Sequence, residues 1–429
     1  MNAGSRKMLK KSDSILEHQK VPRTVYFSFC HPDVSPGGAQ AVAKRLHDEH
    51  VRKHGVGSSL FIGAMIGGGP KRSAGSNLIQ VKSDEFIYIC DRFDYLYFTN
   101  YDYEGQQAII RLVESFDPTQ LHFHHFMGFG IDFMFALLSS SKAKKIFTIH
   151  EHMLVCHNDG HLVQKNNNGI CDGPHPARCA TCMPEYRYDY FQHRLAHLAS
   201  IVEMCDVVTA VSEYTAGVIQ RSIKTREPIV CIPNGPFKAT VAEGKIDTNT
   251  LNVAYIGQVH QTKGVHLLLA AIESLVEEHP EYAKRISITI WGSIVQPEYR
   301  KKIEAQLARL HALEVRSRLG GVYSSANLKN ILHDANVVVV PSLWPESYCI
   351  TADEAVMLGK ILICTEFPAA TERFESTDST VFVSPGSAVA IERAFERLLK
   401  AGSVEISSNM KFSYKDFSEI FELYEQATL

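Results

Sequence analysis

Short apolar runs alternate with helix-spaced patterns along most of this chain. In the first half, the run Val25–Cys30 leads into a polar loop containing Ser35-Pro36-Gly37-Gly38, then a helical pattern from Ala39 to Val51. Further apolar runs at Ser59–Ile62, Leu121–His124, Lys145–Ile149, Asp206–Val211 and Ile229–Ile232 predict strands, the last ending in the turn former Pro233-Asn234-Gly235. A polar stretch, Lys238–Thr250, reads as a linker. Beyond it, strands are predicted at Val253–Ile256, Ile286–Trp291, Val337–Val340, Ile361–Cys364 and Thr380–Val383. Helices are predicted at Val265–Glu278, Asn327–Ala335 and Ala388–Leu399, with an amphipathic stretch at Tyr414–Gln426. Strands that read as unbroken apolar runs and alternate with helices predict parallel sheets covered on both faces.

A chain of 429 residues exceeds one typical core. The α/β pattern therefore divides into two Rossmann-like domains, 23–237 and 251–405, joined by the linker 238–250. Residues 1–22, polar and basic, read as a disordered leader without an apolar segment of signal-peptide length. The net charge of -3 gives no basic surplus of the kind nucleic-acid binding needs. No apolar run reaches the roughly 18 residues of a membrane helix. The expected location is the cytoplasm, with a peripheral contact at the inner membrane face as a further expectation.

The stretch Pro341-Ser-Leu-Trp-Pro-Glu-Ser-Tyr-Cys-Ile-Thr-Ala-Asp-Glu-Ala355 carries most of the chemistry. Glu346 follows a buried strand, and Glu354 lies on the next helix. The first amides of that helix, near Ser347, Tyr348 and Cys349, suit a phosphate, and the two carboxylates suit hydroxyl groups. Together these features fit a nucleotide sugar.

The segment resembles the glutamate–seven–glutamate motif of the family 4 retaining glycosyltransferases, also described as glycosyl transferases group 1. The resemblance implies the GT-B fold: two Rossmann-like domains facing across a cleft, with the C-terminal helix (406–429) returning to the first domain. It also implies a hexosyltransferase that moves a hexose-type sugar from a nucleoside-diphosphate sugar to a hydroxyl acceptor, a glycan or glycolipid, in polysaccharide or glycolipid synthesis. Glu346 would act at the sugar and Glu354 at the ribose. No metal or other cofactor is required for catalysis on this reading. The alternatives are a non-catalytic or degenerate sugar-nucleotide-binding protein of the same fold, or an epimerase or phosphorylase.

Other motifs follow the same resemblance with departures. Gly37-Gly38, between a strand and a helix, serves a plain tight turn or a close approach to the donor diphosphate or acceptor. Gly257-Gln-Val-His-Gln-Thr-Lys263-Gly264 resembles the family's diphosphate loop, and keeps Lys263 but has Gln258 where an arginine is usual. Either another cation substitutes, or binding is weaker, or the donor is unusual. Pro368-Ala-Ala-Thr-Glu372 has Ala369 and Ala370 in place of a glycine pair. His150, at a strand end, occupies the place of a family histidine that reaches the transferred sugar, with Glu151 as the acid after it. His122, His124 and His125 lie on another strand end, with His122 and His124 on one face, and serve packing, the acceptor side of the cleft or a metal. Trp344, beside Glu346, walls the sugar pocket or is simply buried.

Residues 151–187 form a cysteine-rich insert. Cys156, Cys171, Cys179 and Cys182 include a two-residue-spaced pair that suits one edge of a zinc tetrahedron, with His157, His161 and His175 as spare ligands. Structural zinc, reduced thiols and redox pairing all fit the spacing. Four thiolates would leave no open position for catalysis.

Overall fold

The protein is described from a computed structural model over residues 21–35, 37–68, 77–235, 244–406 and 415–428. The leader, apart from its last two residues, lies outside these.

The first sheet has eight strands, in the order Val230–Cys231, Val207–Ala210, Lys144–Ile149, Gln120–Phe123, Thr24–Phe29, Ser59–Ile66, Glu85–Cys90 and Leu78–Lys82. All neighbours run parallel except Leu78–Lys82, which pairs antiparallel with Glu85–Cys90 and closes the edge. The second sheet is wholly parallel. Its order is Arg316–Gly321, Ile286–Trp291, Leu251–Ile256, Val337–Val340, Ile361–Thr365 and Thr380–Val383. In each sheet the chain order reverses beside the first strand, and the crevice at such a reversal is where open α/β sheets take ligands.

Alternation within the second sheet sets its two cores. Val253, Tyr255, Val337, Val339, Ile361 and Ile363 pack on one face, while Ala254, Ile256, Val338, Val340, Leu362 and Cys364 pack on the other. Successive side chains in a strand point to opposite faces, so a run apolar at every position must be covered on both. The final helix, Phe417–Ala427, crosses back to the first domain. Its Phe417, Ile420, Phe421 and Tyr424 pack against Tyr26, Val42, Leu46 and Phe61. A capping box between Asp416 and Glu419 starts it. This is the GT-B architecture.

Several local expectations change. Residues 236–243 of the linker region lie outside the described residues, but Gly244–Asp247 is a strand paired antiparallel with Ser403–Ile406. Pro368–Phe374 is a helix rather than a turn. Alanine at 369 and 370 favours helix where glycine would break it, and Pro368 sits at the first helical position, where its missing N–H costs nothing. The predicted helix Asn327–Ala335 shortens to Leu328–Ile331 after a 3-10 turn. Strand Arg316–Gly321 escaped the apolar pattern because it is an edge strand with Arg316 and Arg318 exposed.

Candidate active site

The carboxyl ends of both sheets meet, and one residue ties them together. The Ser347 hydroxyl donates to the backbone carbonyl of His150, and the Ser347 carbonyl accepts from the Ser212 hydroxyl at 2.6 Å. Ser212 caps helix Glu213–Gln220, and the amide of the next residue but one, Tyr214, donates to Glu372 at 3.0 Å across the same gap. Where the first helix, Gly38–His54, begins, a Cβ on Gly38 would lie 3.2 Å from Ile350 at the start of the opposing helix. Gly38 therefore permits a close approach of two helix starts. Gly37 has extended backbone, and a Cβ there would meet only the flexible Gln40 side chain.

On the second domain, Lys263 Nζ and Glu346 Oε1 lie 2.9 Å apart, and the Ser342 hydroxyl donates to the same carboxylate oxygen. The loop carrying Lys263 is fixed by Gly264 (φ 71°), whose Cβ would collide with the Pro341 carbonyl at 1.9 Å. The Leu343 amide donates to the Thr262 carbonyl at 2.8 Å. The two loops thus form one unit at the sheet's reversal point. Burial would raise the Glu346 carboxyl, but Lys263 and Ser342 outweigh it and hold the group below its ordinary range. Lys263 is raised by the same pairing, against its own burial.

Glu354 differs from Glu346 in protonation. It is 8% exposed on helix Ile350–Met357, and burial, then Asp353, push its pKa up to about 8, with Arg45 opposing. Arg45 comes from the first domain, with its guanidinium 3.8 Å over the Phe417 ring. The start of the Glu354 helix is shaped by Cys349 in the left-handed region (φ 67°). Arg373, 3% exposed, clamps that start. It pairs with Asp353, donates to the Tyr348 carbonyl and to Ala369 O (3.0 Å), and lies 3.8 Å over the Tyr348 ring. Arg373 was not legible as a site residue: it follows Glu372 with no spacing signal, and the fold alone brings it to Tyr348.

On the first domain, His150 Nε2 and His124 Nδ1 lie 2.8 Å apart, and the His122 and His124 rings stack at 4.2 Å. His122 Nε2 reaches the Thr148 hydroxyl at 2.7 Å. Burial, then the neighbouring His125, push His150 down to about 3, and His122 falls equally, so both are neutral imidazoles. His150 Nδ1 is buried with no hydrogen bond of normal geometry, and the Asn234 amide stands beside it. His125 pairs with Glu151 at 3.4 Å, and burial lifts Glu151 to about 7 against the Met153 amide.

The insert reaches the same place. His161 packs edge-on against Trp344 with ring centroids 4.7 Å apart, and Lys263 Nζ lies 5.3 Å from that indole. His175 caps helix Pro176–Cys182, and His157 packs on Tyr186, Tyr190 and Phe191. Cys156, Cys171, Cys179 and Cys182 are not disulfide-bonded and line one cavity of about 20 Å³. The tetrahedron expected from their spacing is not drawn together. Among the described residues, sets of three or more ligating side chains within 4.8 Å of one another are His31–Asp33–Glu85 and His47–Asp48–Glu85. Glu85 in both is already held by Lys44 (3.2 Å) and Lys82 (2.9 Å), which fill the place a cation would take. A wide groove of about 660 Å³ runs beside Ser287, Thr289, Arg316 and Arg318. It runs across the strands Leu251–Ile256, Ile286–Trp291 and Arg316–Gly321.

Residues 36–235 match the family model described as Glycosyltransferase Family 4, and residues 236–415 match the one described as Glycosyl transferases group 1. A curated relative, the lipopolysaccharide 1,2-N-acetylglucosaminetransferase of Salmonella typhimurium, is 27% identical over 147 residues. That match covers 32% of this chain and 38% of the relative. Among solved structures, HepE of Anabaena, in complex with UDP and glucose, superposes with a TM-score of 0.63 at 13% identity, covering 94% of this chain and 98% of that one. Sucrose-phosphate synthase from Thermosynechococcus elongatus gives a TM-score of 0.62 at 15% identity, with 95% and 96% covered. Among the described residues no helix is long and apolar enough to cross a membrane.

Proposed function

The chain belongs to the family 4 glycosyltransferases, and from that footing we propose that it moves a hexose-type sugar from a nucleoside-diphosphate donor to a hydroxyl acceptor, with retention of configuration. The observation that carries this reading is the Lys263–Glu346 pair, set where the second sheet reverses and facing His150 through Ser347. A cation, a carboxylate and a helix start lie side by side there. That is the set a diphosphate linked to a polyhydroxyl ring calls for.

In the proposed reaction the donor diphosphate takes over Lys263 and the amides near Ser347, Tyr348 and Cys349. Freed of its partner, Glu346 then holds the sugar hydroxyls and steadies positive charge at the reacting carbon. The leaving diphosphate gains charge as the bond breaks, so a fixed cation lowers that barrier. Glu354 binds the ribose. His150, held neutral by burial, offers a hydrogen bond to the sugar in place of Asn234, without a competing charge. Closing the two domains excludes water that would hydrolyse the donor. UDP bound to HepE, and the lipopolysaccharide acceptor chemistry of the Salmonella relative, support a UDP-sugar donor and a glycan or glycolipid acceptor.

Thermal-shift titration with UDP, GDP, ADP and TDP tests the donor site. One of them should stabilise the wild type and lose about 10²-fold in affinity in Lys263→Ala, the scale of a lost charge-assisted contact. Stabilisation by none, or equally in both proteins, rejects the site.

A further inference from the structure

Apart from His161 against Trp344, the insert Cys156–Cys182 has no part in the proposed reaction, yet it holds four of the chain's ten cysteines. It has little core of its own. The seven-residue helix Pro176–Cys182 buries none of its residues fully, and a helix so short is not stable without support from elsewhere.

The four thiols, Cys156 buried and the other three half-buried, share one site. Their common cavity of about 20 Å³ accommodates one water-sized body. Arg194, 3% exposed, lies within electrostatic reach of Cys156 and Cys179; it donates to the Met153 carbonyl at 2.6 Å, and its Nε is buried without a hydrogen-bond partner. The Lys165 amide donates to Cys182 Sγ at 3.2 Å. Neutral thiols are weak acceptors, and thiolates would be stronger ones for the Lys165 amide.

We propose that Cys156, Cys171, Cys179 and Cys182 are the ligands of one structural zinc ion. Each thiol gives up its proton to solvent as it binds. Zinc with four thiolates carries two net negative charges, which Arg194 partly offsets from within the protein. As they stand the cysteines are not among the sets of ligating groups within 4.8 Å of one another, so binding must draw the sulfurs inward, toward Zn–S distances of about 2.3 Å. The loop between Cys156 and Cys171 carries His161, so the ion anchors the segment that meets Trp344 and the Lys263 loop. With four protein ligands the metal is closed to substrate and is not part of the chemistry.

The full chain, purified without a metal-chelate step, should contain one zinc, and the double variant Cys179→Ser, Cys182→Ser should contain none. Exchange of wild type into cobalt should give thiolate-to-metal charge transfer and the strong visible bands of a tetrahedral sulfur site. This cobalt spectrum stands alone if the serine variant does not fold. Metal-free wild type with all ten thiols titrating after denaturation overturns the proposal in favour of free thiols. An unreduced mass lighter by the hydrogens of disulfide formation overturns it in favour of redox pairing. None of these readouts depends on glycosyl transfer.

Discussion

The two rims of the cleft occupy equivalent places, the carboxyl ends of two parallel sheets beside a reversal of strand order, yet they are built from opposite electrostatics. The rim of the second domain holds permanent charge: Lys263 and Glu346 stay ionised because each stabilises the other. The rim of the first domain holds His122, His124 and His150 in contact, all driven neutral by burial. Charging one of these rings would leave a buried cation against two more imidazoles. A diphosphate needs fixed charge to replace its hydration, whereas a sugar ring needs hydrogen-bonding groups that do not attract anions at random. On the proposed reaction the phosphate goes to the charged rim, and the sugar lies between Glu346 and the neutral histidines.

The largest effect should come from Glu346→Ala. It removes the carboxylate at the reacting carbon and should cut transfer by at least about 10³-fold, the upper range for loss of one charge-stabilising group. Circular dichroism should report an intact fold, since the pair is partly exposed and lies outside the cores. Unchanged turnover would dissolve the contrast between the rims.

His150→Ala sharpens it. We expect about 10²-fold slower transfer with nucleotide affinity unchanged, because the lost hydrogen bond is to sugar and not to phosphate. A parallel loss of nucleotide binding by calorimetry would place His150 on the donor diphosphate and merge the two rims.

The smallest effect concerns Glu354. Its carboxyl, raised to about 8 by burial and Asp353, is mostly protonated at neutral pH. A ribose donating to it favours the ionised form, so nucleotide affinity should rise with pH up to about 8, by at most about tenfold per pH unit. The comparison with Glu354→Gln isolates this slope from titration of the nucleotide itself. Without nucleotide the sign reverses. The folded protein holds this proton more tightly than the unfolded chain does. Glu354 therefore contributes to stability below the ordinary carboxylate pKa and loses that contribution as pH rises through about 8. Equal pH profiles for wild type and variant would remove Glu354 from the ribose.

Much of this was legible in the chain. Val337–Val340 can only be a strand covered on both faces, and Glu346 and Glu354 flank the start of the next helix because a parallel strand must be followed by a crossover. Lys263 was marked by the resemblance of its loop to the family's diphosphate loop, though not the backbone approach at Gly264 that fixes it. Other features left no mark. Arg373 lies on a helix whose alanines disguised it, and Asp353 looked like any residue in a first helical turn. Arg45 reads as one more charged residue of an amphipathic helix until the second domain brings Glu354 to it. The insert's cysteines were visible by spacing, but not the single cavity they share.

By itself the sequence determined the alternation of strand and helix, the two parallel sheets and the loops that must carry the chemistry, because these follow from periodicity and turn chemistry within a few residues. Only the tertiary structure decided which charges are paired, which histidines stay neutral, and that Ser347 joins one rim to the other. Those depend on burial and on contacts between residues hundreds of positions apart, such as Arg45 with Phe417, and the free energy of a charge is set by what surrounds it in space.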